Sequence, residues 1–268
     1  MRSSRLIWRA TALFSILTAL MFAAGFAYAV KDILAPNQAW PKPQKQEHPA
    51  QNRLAKAGEY SIVALGDSLT KGTGDVTGKG YVGNTRDLLA KKTGKPVRIL
   101  ANLGINGYET GQLLDDLRTK PNVAYLLKQA NIVLFTIGGN DLFQLALKEL
   151  DLTTAIDPTA LYNRMPEALQ RMDAIFAALV KINPQAKIMY IGLYNPFADL
   201  DETKKSSEAI QKWNADVFQI ANRYPNVTVL PTFDLFQTKL SQYLYSDHFH
   251  PNETGYARIA ERIVQDLP

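Results

Sequence analysis

Five short apolar runs, set far apart in the chain, constrain the fold more than any other feature. They are SIVAL (Ser61–Leu65), VRILA (Val97–Ala101), IVLFTI (Ile132–Ile137), KIMYI (Lys187–Ile191) and VTVL (Val227–Leu230). Most lack strict alternation, which suits strands covered on both faces. Helical periodicity fills the intervals, over Val82–Lys92, from Gly111 to Leu117, and over Pro121–Ala130, Met165–Asn183, Glu208–Tyr224 and Asn252–Leu267. Pro121 suits a first turn and Asn252 an N-cap. Strand alternating with helix predicts a five-stranded parallel sheet with helices on both faces. Leu150–Pro158 and Tyr194–Lys205 are the least patterned connections and are expected as loops over a site.

The N-terminus reads differently. From Ala10 to Val30 the chain runs ATALFSILTALMFAAGFAYAV without a charge, about the ~20 residues that cross a bilayer as a helix. Arg2, Arg5 and Arg9 precede it, which keeps residues 1–9 in the cytoplasm and sends the rest outside. Two readings compete for residues 10–30. Ala27-Tyr28-Ala29 fits a signal-peptidase site, and cleavage there would give a secreted protein. The run is longer than an ordinary signal core, which favours a retained single-pass anchor in the cell membrane. Either way the rest of the chain is extracytoplasmic. Residues 31–57, rich in Pro, Gln and Lys, are expected to form an extended linker, with His48 solvated in it. The folded domain is expected over 58–268.

Residues 1–56 hold eight Lys/Arg against Asp32 and Glu47, so the chain's net +5 belongs to its N-terminus and the remainder is near neutral. The basic balance therefore gives no ground for nucleic-acid binding. The chain has no cysteine, which excludes disulfides, thiolate metal sites, a cysteine nucleophile and lipoprotein-type lipid attachment.

Ligands of open α/β sheets bind beyond the carboxyl ends of the strands. The sequence places Gly66-Asp67-Ser68 there, then Asn102-Leu103-Gly104-Ile105-Asn106-Gly107, Gly138-Gly139-Asn140-Asp141 and Tyr194-Asn195-Pro196. Each alone is ordinary turn chemistry. The last block adds a base. His248 and His250 are the two histidines after residue 57, and Asp247 stands three before His250, ahead of a helix. A tight turn there brings the carboxylate onto the ring and fixes its tautomer. The order Ser…Asp…His is that of many α/β hydrolases.

The blocks GDSLTKG, NLGINGYET, GGND and DHFHPNETGY, in this order, resemble the SGNH hydrolases, also called GDSL esterases/lipases, and most closely their bacterial lysophospholipase-like members. The resemblance implies a three-layer α/β/α flavodoxin-like fold with strand order 2-1-3-4-5, ester hydrolysis, and no cofactor. It matches Ser68 to the nucleophile, His250 to the base and Asp247 to its partner. It matches the oxyanion hole to the Ser68 N–H, the Gly104 N–H and the Asn140 side-chain amide. A metal set of Asp247, His248 and His250 would leave the serine and oxyanion blocks unexplained. Asp67 and Asp141 are read as bonding backbone amides in their own turns, and His248 as a surface or packing residue.

The leading expectation is a membrane-tethered serine esterase acting on lipid-like acyl esters such as lysophospholipids. Phe143, Leu145, Leu147, Tyr194 and Phe197 would then line an acyl groove, unless they pack in the core. An O-acetyl esterase for cell-wall or extracellular polysaccharide is the alternative. A non-catalytic lipid- or glycan-binding module would have no need of Ser68, Asn140, Asp247 and His250 together.

Overall fold

The computed structural model describes residues 2–34, 49–148, 158–199 and 204–268. The chain divides into two compact units, Met1–Gln46 and Glu47–Pro268. The first holds helix α1 (Arg2–Leu34), of which Ile7–Leu34 is long and apolar enough to cross a membrane.

The second unit runs α2 (Pro49–Lys56), β1 (Tyr60–Gly66), α3 (Ser68–Lys71), α4 (Gly80–Thr93), β2 (Val97–Gly104), α5 (Thr110–Thr119), α6 (Pro121–Gln129), β3 (Ile132–Thr136), α7 (Gly139–Lys148), α8 (Pro158–Ile182), β4 (Lys187–Ile191), α9 (Lys205–Ala221), β5 (Val227–Leu230), α10 (Phe233–Phe236), α11 (Leu240–Tyr243) and α12 (Glu253–Gln265). The five strands form one parallel sheet in the order β2-β1-β3-β4-β5, as the resemblance implies.

Why the apolar runs do not alternate is visible in the packing. Val63, Leu65, Val133, Phe135, Ile188 and Tyr190 point into a core under α5, α8 and α9. Ile62, Ala64, Ile132, Leu134, Met189 and Ile191 point into a second core under α4 and α12. Successive residues of one strand feed opposite layers, so both sets must be apolar. β2, at the edge, is only half covered. The register sets Gly66 opposite Gly104 on one side and Thr136 on the other. The carboxyl ends of the three strands thus lie side by side.

Several boundaries move. α8 begins at Pro158, seven residues before the expected start at Met165, and carries Pro166 inside it. The four-residue helices α3, α10 and α11 are too short for a periodic signature, and α7 is a further helix beyond those expected from the sequence. At the described ends of the linker expected over 31–57, Lys31–Leu34 continue α1 and Pro49–Lys56 form α2. Leu54 on α2 is 2% exposed and joins the second core, so the body includes residues that the sequence assigned to the linker. The rest of that linker, residues 35–48 with His48, lies outside the described residues. So do residues 150–157 and 200–203 of the two expected site loops.

Candidate active site

The serine turn is built from close contacts. β1 ends at Gly66, with φ of 129°. A Cβ there would lie 1.9 Å from the Thr136 carbonyl oxygen, so only glycine lets β1 pass β3 this closely. Asp67 then caps α3: its Oδ1 accepts from the Leu69 N–H at 3.0 Å and from the Thr136 hydroxyl at 2.6 Å. Thr70 and Thr136 exchange backbone-to-hydroxyl bonds at 3.1 and 3.2 Å, and Tyr81 adds its hydroxyl to Thr70 at 2.6 Å. Burial pushes the Asp67 carboxyl above its ordinary value, and the bonds from Thr136 and the Leu69 N–H offset this only in part. Ser68 thereby sits at the first helical position. Among the described residues its N–H makes no hydrogen bond.

The histidine arrives from 182 residues away. His250 Nε2 lies 2.8 Å from Ser68 Oγ, and His250 Nδ1 lies 2.7 Å from Asp247 Oδ2. Asp247 Oδ1 accepts the N–H groups of Phe249 and His250, both at 3.0 Å. Burial alone would raise the Asp247 carboxyl, but the His250 ring and these two N–H groups hold it below the ordinary value. His248 makes the turn, with φ of 55° and its N–H on the Tyr245 carbonyl. Behind the loop, Asn252 caps α12, Tyr256 donates to the Thr73 carbonyl at 2.7 Å, and Tyr194 donates to the Phe249 carbonyl at 2.6 Å. Gly74 passes directly beneath: a Cβ on it would lie 3.0 Å from His250 Cβ. The base is therefore fixed from both sides.

Gly104 differs from its expected part. Its N–H donates to Asn102 Oδ1 at 3.0 Å, and Asn102 in turn donates to the Thr70 carbonyl at 2.8 Å. A Cβ at 104 would lie 2.3 Å from Lys71 N. Glycine is required there so that β2 can abut α3, and the N–H is committed. The free donor is three residues on. Gly107 lies exposed in the turn closed by the Tyr108 N–H on the Ile105 carbonyl, with φ of 75°. Among the described residues its N–H makes no hydrogen bond. Three bonds hold this turn: Ile105 N–H to the Gly66 carbonyl (2.9 Å), the Thr73 hydroxyl to Asn106 Oδ1 (2.9 Å), and Asn140 Nδ2 to the Tyr108 carbonyl (2.8 Å). Asn140 uses one amide hydrogen and keeps the other. The dipeptide Asn106-Gly107 is a sequence signal that could have marked Gly107 as a left-handed turn position, although Gly107 was not among the expected site residues.

Other expectations resolve as follows. Asp67 bonds an amide of its own turn, but Asp141 reaches across to α5, accepting the Thr110 N–H at 2.9 Å and the Thr110 hydroxyl at 2.5 Å. Arg171 of α8 completes that buried cluster at 3.2 Å. Phe143, Tyr194 and Phe197 are buried among the described residues, packed as core side chains. Phe143 packs on Phe197, and Phe197 on Phe249, which meets the His250 ring edge to face. Tyr194 stacks on Phe236 at 4.1 Å. The side chains of Leu145 and Leu147 lie outside the described residues.

Residues 64–258 match the model of the GDSL-like Lipase/Acylhydrolase family. The chain is 33% identical over 209 residues to the uncharacterized protein YpmR of Bacillus subtilis (strain 168), covering 77% of this chain and 80% of that one. Among solved structures it is similar to the lipase Lip_vut3 from a goat rumen metagenome, with a TM-score of 0.67 and 24% identity over 77% of this chain and 96% of the other. It is also similar to a variant of Axe2, an acetyl xylan esterase from Geobacillus stearothermophilus, with a TM-score of 0.57 and 18% identity over 77% and 93%. At these identities the solved structures speak to the fold. The family match covers most of the second unit, and it takes in every block from the serine turn to the histidine loop. The chain thus belongs to the GDSL-like lipase/acylhydrolase family and is an ester-hydrolysing serine hydrolase.

Proposed function

We propose that Ser68, His250 and Asp247 act as nucleophile, base and orienting acid in an esterase that works outside the cytoplasm, held to the membrane by α1. The observation that carries this is the 2.8 Å contact of His250 Nε2 with Ser68 Oγ, with Asp247 on the other ring nitrogen at 2.7 Å. A serine hydroxyl needs such a base to attack an ester carbonyl. The imidazole takes the hydroxyl proton, Asp247 stabilises the imidazolium, and the proton passes to the leaving alcohol. Water then attacks the acyl-enzyme by the same route. Three donors converge on the developing oxyanion: the N–H of Ser68, the N–H of Gly107 and the remaining amide hydrogen of Asn140.

The substrate in this reading is a lipid-like acyl ester such as a lysophospholipid. An apolar N-terminal helix that could bring the body to a lipid surface supports it, as does the likeness to a lipase. A second reading is an O-acetyl esterase for extracellular polysaccharide. It rests on the aromatic packing of Phe143, Phe197 and Phe249, which fills the interior beside His250, and on the likeness to an acetyl xylan esterase. The test is a panel of aryl esters of graded acyl length, run with a Ser68→Ala control. The expected result is turnover that falls on the order of 10⁶-fold in the control. A Ser68→Ala protein that keeps its turnover refutes the assignment. Preference for longer chains supports the first reading, and preference for acetate the second.

A further inference from the structure

A few large apolar side chains stay exposed on the described surface of the second unit, and singly these need no explanation. Three of them are carried by neighbouring loops. Val76 (80% exposed) follows the serine helix, Ile105 (42%) begins the turn of Gly107, and Tyr245 (41%) stands two residues before Asp247. The segments that carry them are joined. Thr73 donates to Asn106, next to Ile105. A Cβ on Gly74 would lie 3.2 Å from the Tyr245 Cβ, and the Tyr245 N–H donates to the His250 carbonyl at 2.8 Å. Val76 is two residues beyond Gly74. The three side chains thus stand on the loops that carry the proposed nucleophile, oxyanion donor and base. Among the described residues, Phe143, Tyr194 and Phe197, the aromatic side chains expected to line a groove, are packed in the interior.

We infer that Val76, Ile105 and Tyr245 form an apolar lip at the mouth of the site, which takes the hydrocarbon chain of the ester along the protein surface. This rests on the esterase reading and deepens it by naming what the site selects. A chain lying on such a lip loses water from one side only. Full burial of a methylene is worth about fourfold in binding, so the lip gives roughly twofold per methylene.

The test uses the full chain in detergent or vesicles, with Val76→Ser, Ile105→Ser and Tyr245→Ser made singly and together. Tyr125→Ser on α6, an exposed apolar residue outside these loops, is the control. One arm measures kcat/KM on aryl esters from acetate to octanoate. A second arm measures acetate esters of alcohols of graded length, which tells whether the lip holds the acyl or the alcohol chain. In one of the two arms the wild type and Tyr125→Ser are expected to gain roughly twofold per methylene. The triple variant is expected to hydrolyse the shortest ester within about twofold of wild type, with the gain per methylene lost. A triple variant with the wild-type chain-length slope overturns the proposal, as does an equal loss on short and long esters. A wild type inert toward every ester sinks the esterase reading itself, and the lip with it.

Discussion

Asp141 is buried, and its charge is met by one hydroxyl, one N–H and one guanidinium. Thr110 is the centre of that cluster, since its Oγ1 donates to Asp141 at 2.5 Å and accepts from Arg171 Nε at 2.7 Å. Thr110→Val keeps the shape and removes both bonds. A hydrogen bond to a charged group is worth about 1.5–3 kcal/mol. Asp141 would keep the Thr110 N–H and Arg171, so the loss falls toward the lower end, about 2 kcal/mol. For a domain of this size that lowers Tm by roughly 4–8 °C. Activity follows by a different route. Asp141 is the neighbour of Asn140, and Thr110 lies two residues beyond the Tyr108 carbonyl that Asn140 grips. The cluster thus sets the spacing of the two loops proposed to form the oxyanion hole. Losing an oxyanion donor outright costs about 10²–10³ in kcat, and a donor displaced but present is expected to cost about tenfold, with KM little changed. Thr110→Ser keeps the hydroxyl and should restore both properties. Urea unfolding read by far-UV circular dichroism, with kcat on a short aryl ester, checks this. If the Val and Ser variants match in stability and in kcat, the reasoning about this cluster is wrong.

The two glycines of the second loop separate cleanly. Gly104→Ala forces a Cβ to 2.3 Å from Lys71 N and should destabilise the fold by about 1–3 kcal/mol. Gly107→Ala meets open space at φ of 75°, so it should cost only about 1–2 kcal/mol of stability while lowering kcat as its N–H turns away. A fully active Gly107→Ala protein would remove Gly107 from the oxyanion hole. Asp67 holds its proton more tightly folded than unfolded. Its ionisation therefore opposes folding, and stability falls as pH rises from the ordinary carboxyl value through the raised one. Asp67→Asn should flatten that part of the stability–pH curve in urea titrations, and an unchanged curve contradicts the shift. Leu54→Ala should cost about 2–3 kcal/mol in unfolding free energy, since Leu54 is buried in the second core. A cost near zero would return α2 to the linker.

Strand number and helix alternation were legible because β1, β3 and β4 are apolar on both faces, which leaves short unbroken runs that few other folds produce. Ser68, Asn140, Asp247 and His250, the residues proposed for the site, could be picked out because four blocks at strand ends or before a helix occur in the order of the family they resemble, whereas each block alone is ordinary turn chemistry. What stayed hidden depends on contacts made by distant residues. Gly107 carries an Asn-Gly turn signal, but nothing local to Gly104 shows that the approach of Lys71 requires a glycine there. Phe143 and Tyr194 have the composition of a groove lining, yet Phe197 and Phe236 bury them. α2 was masked by its Pro- and Gln-rich surroundings, although Pro49 at its start is itself a helix-initiating residue.

β1 begins four residues after α2 and runs straight to the serine turn, a span of roughly 20 Å at about 3.3 Å per residue. β1 therefore enters the sheet at the end remote from Ser68. The C-terminus returns to that same end, where Asp266 pairs with Lys187 at the start of β4 and Lys92 bonds the Leu267 carbonyl. A carrier attached beyond α12 therefore leaves the second unit from the end of the sheet opposite the serine turn.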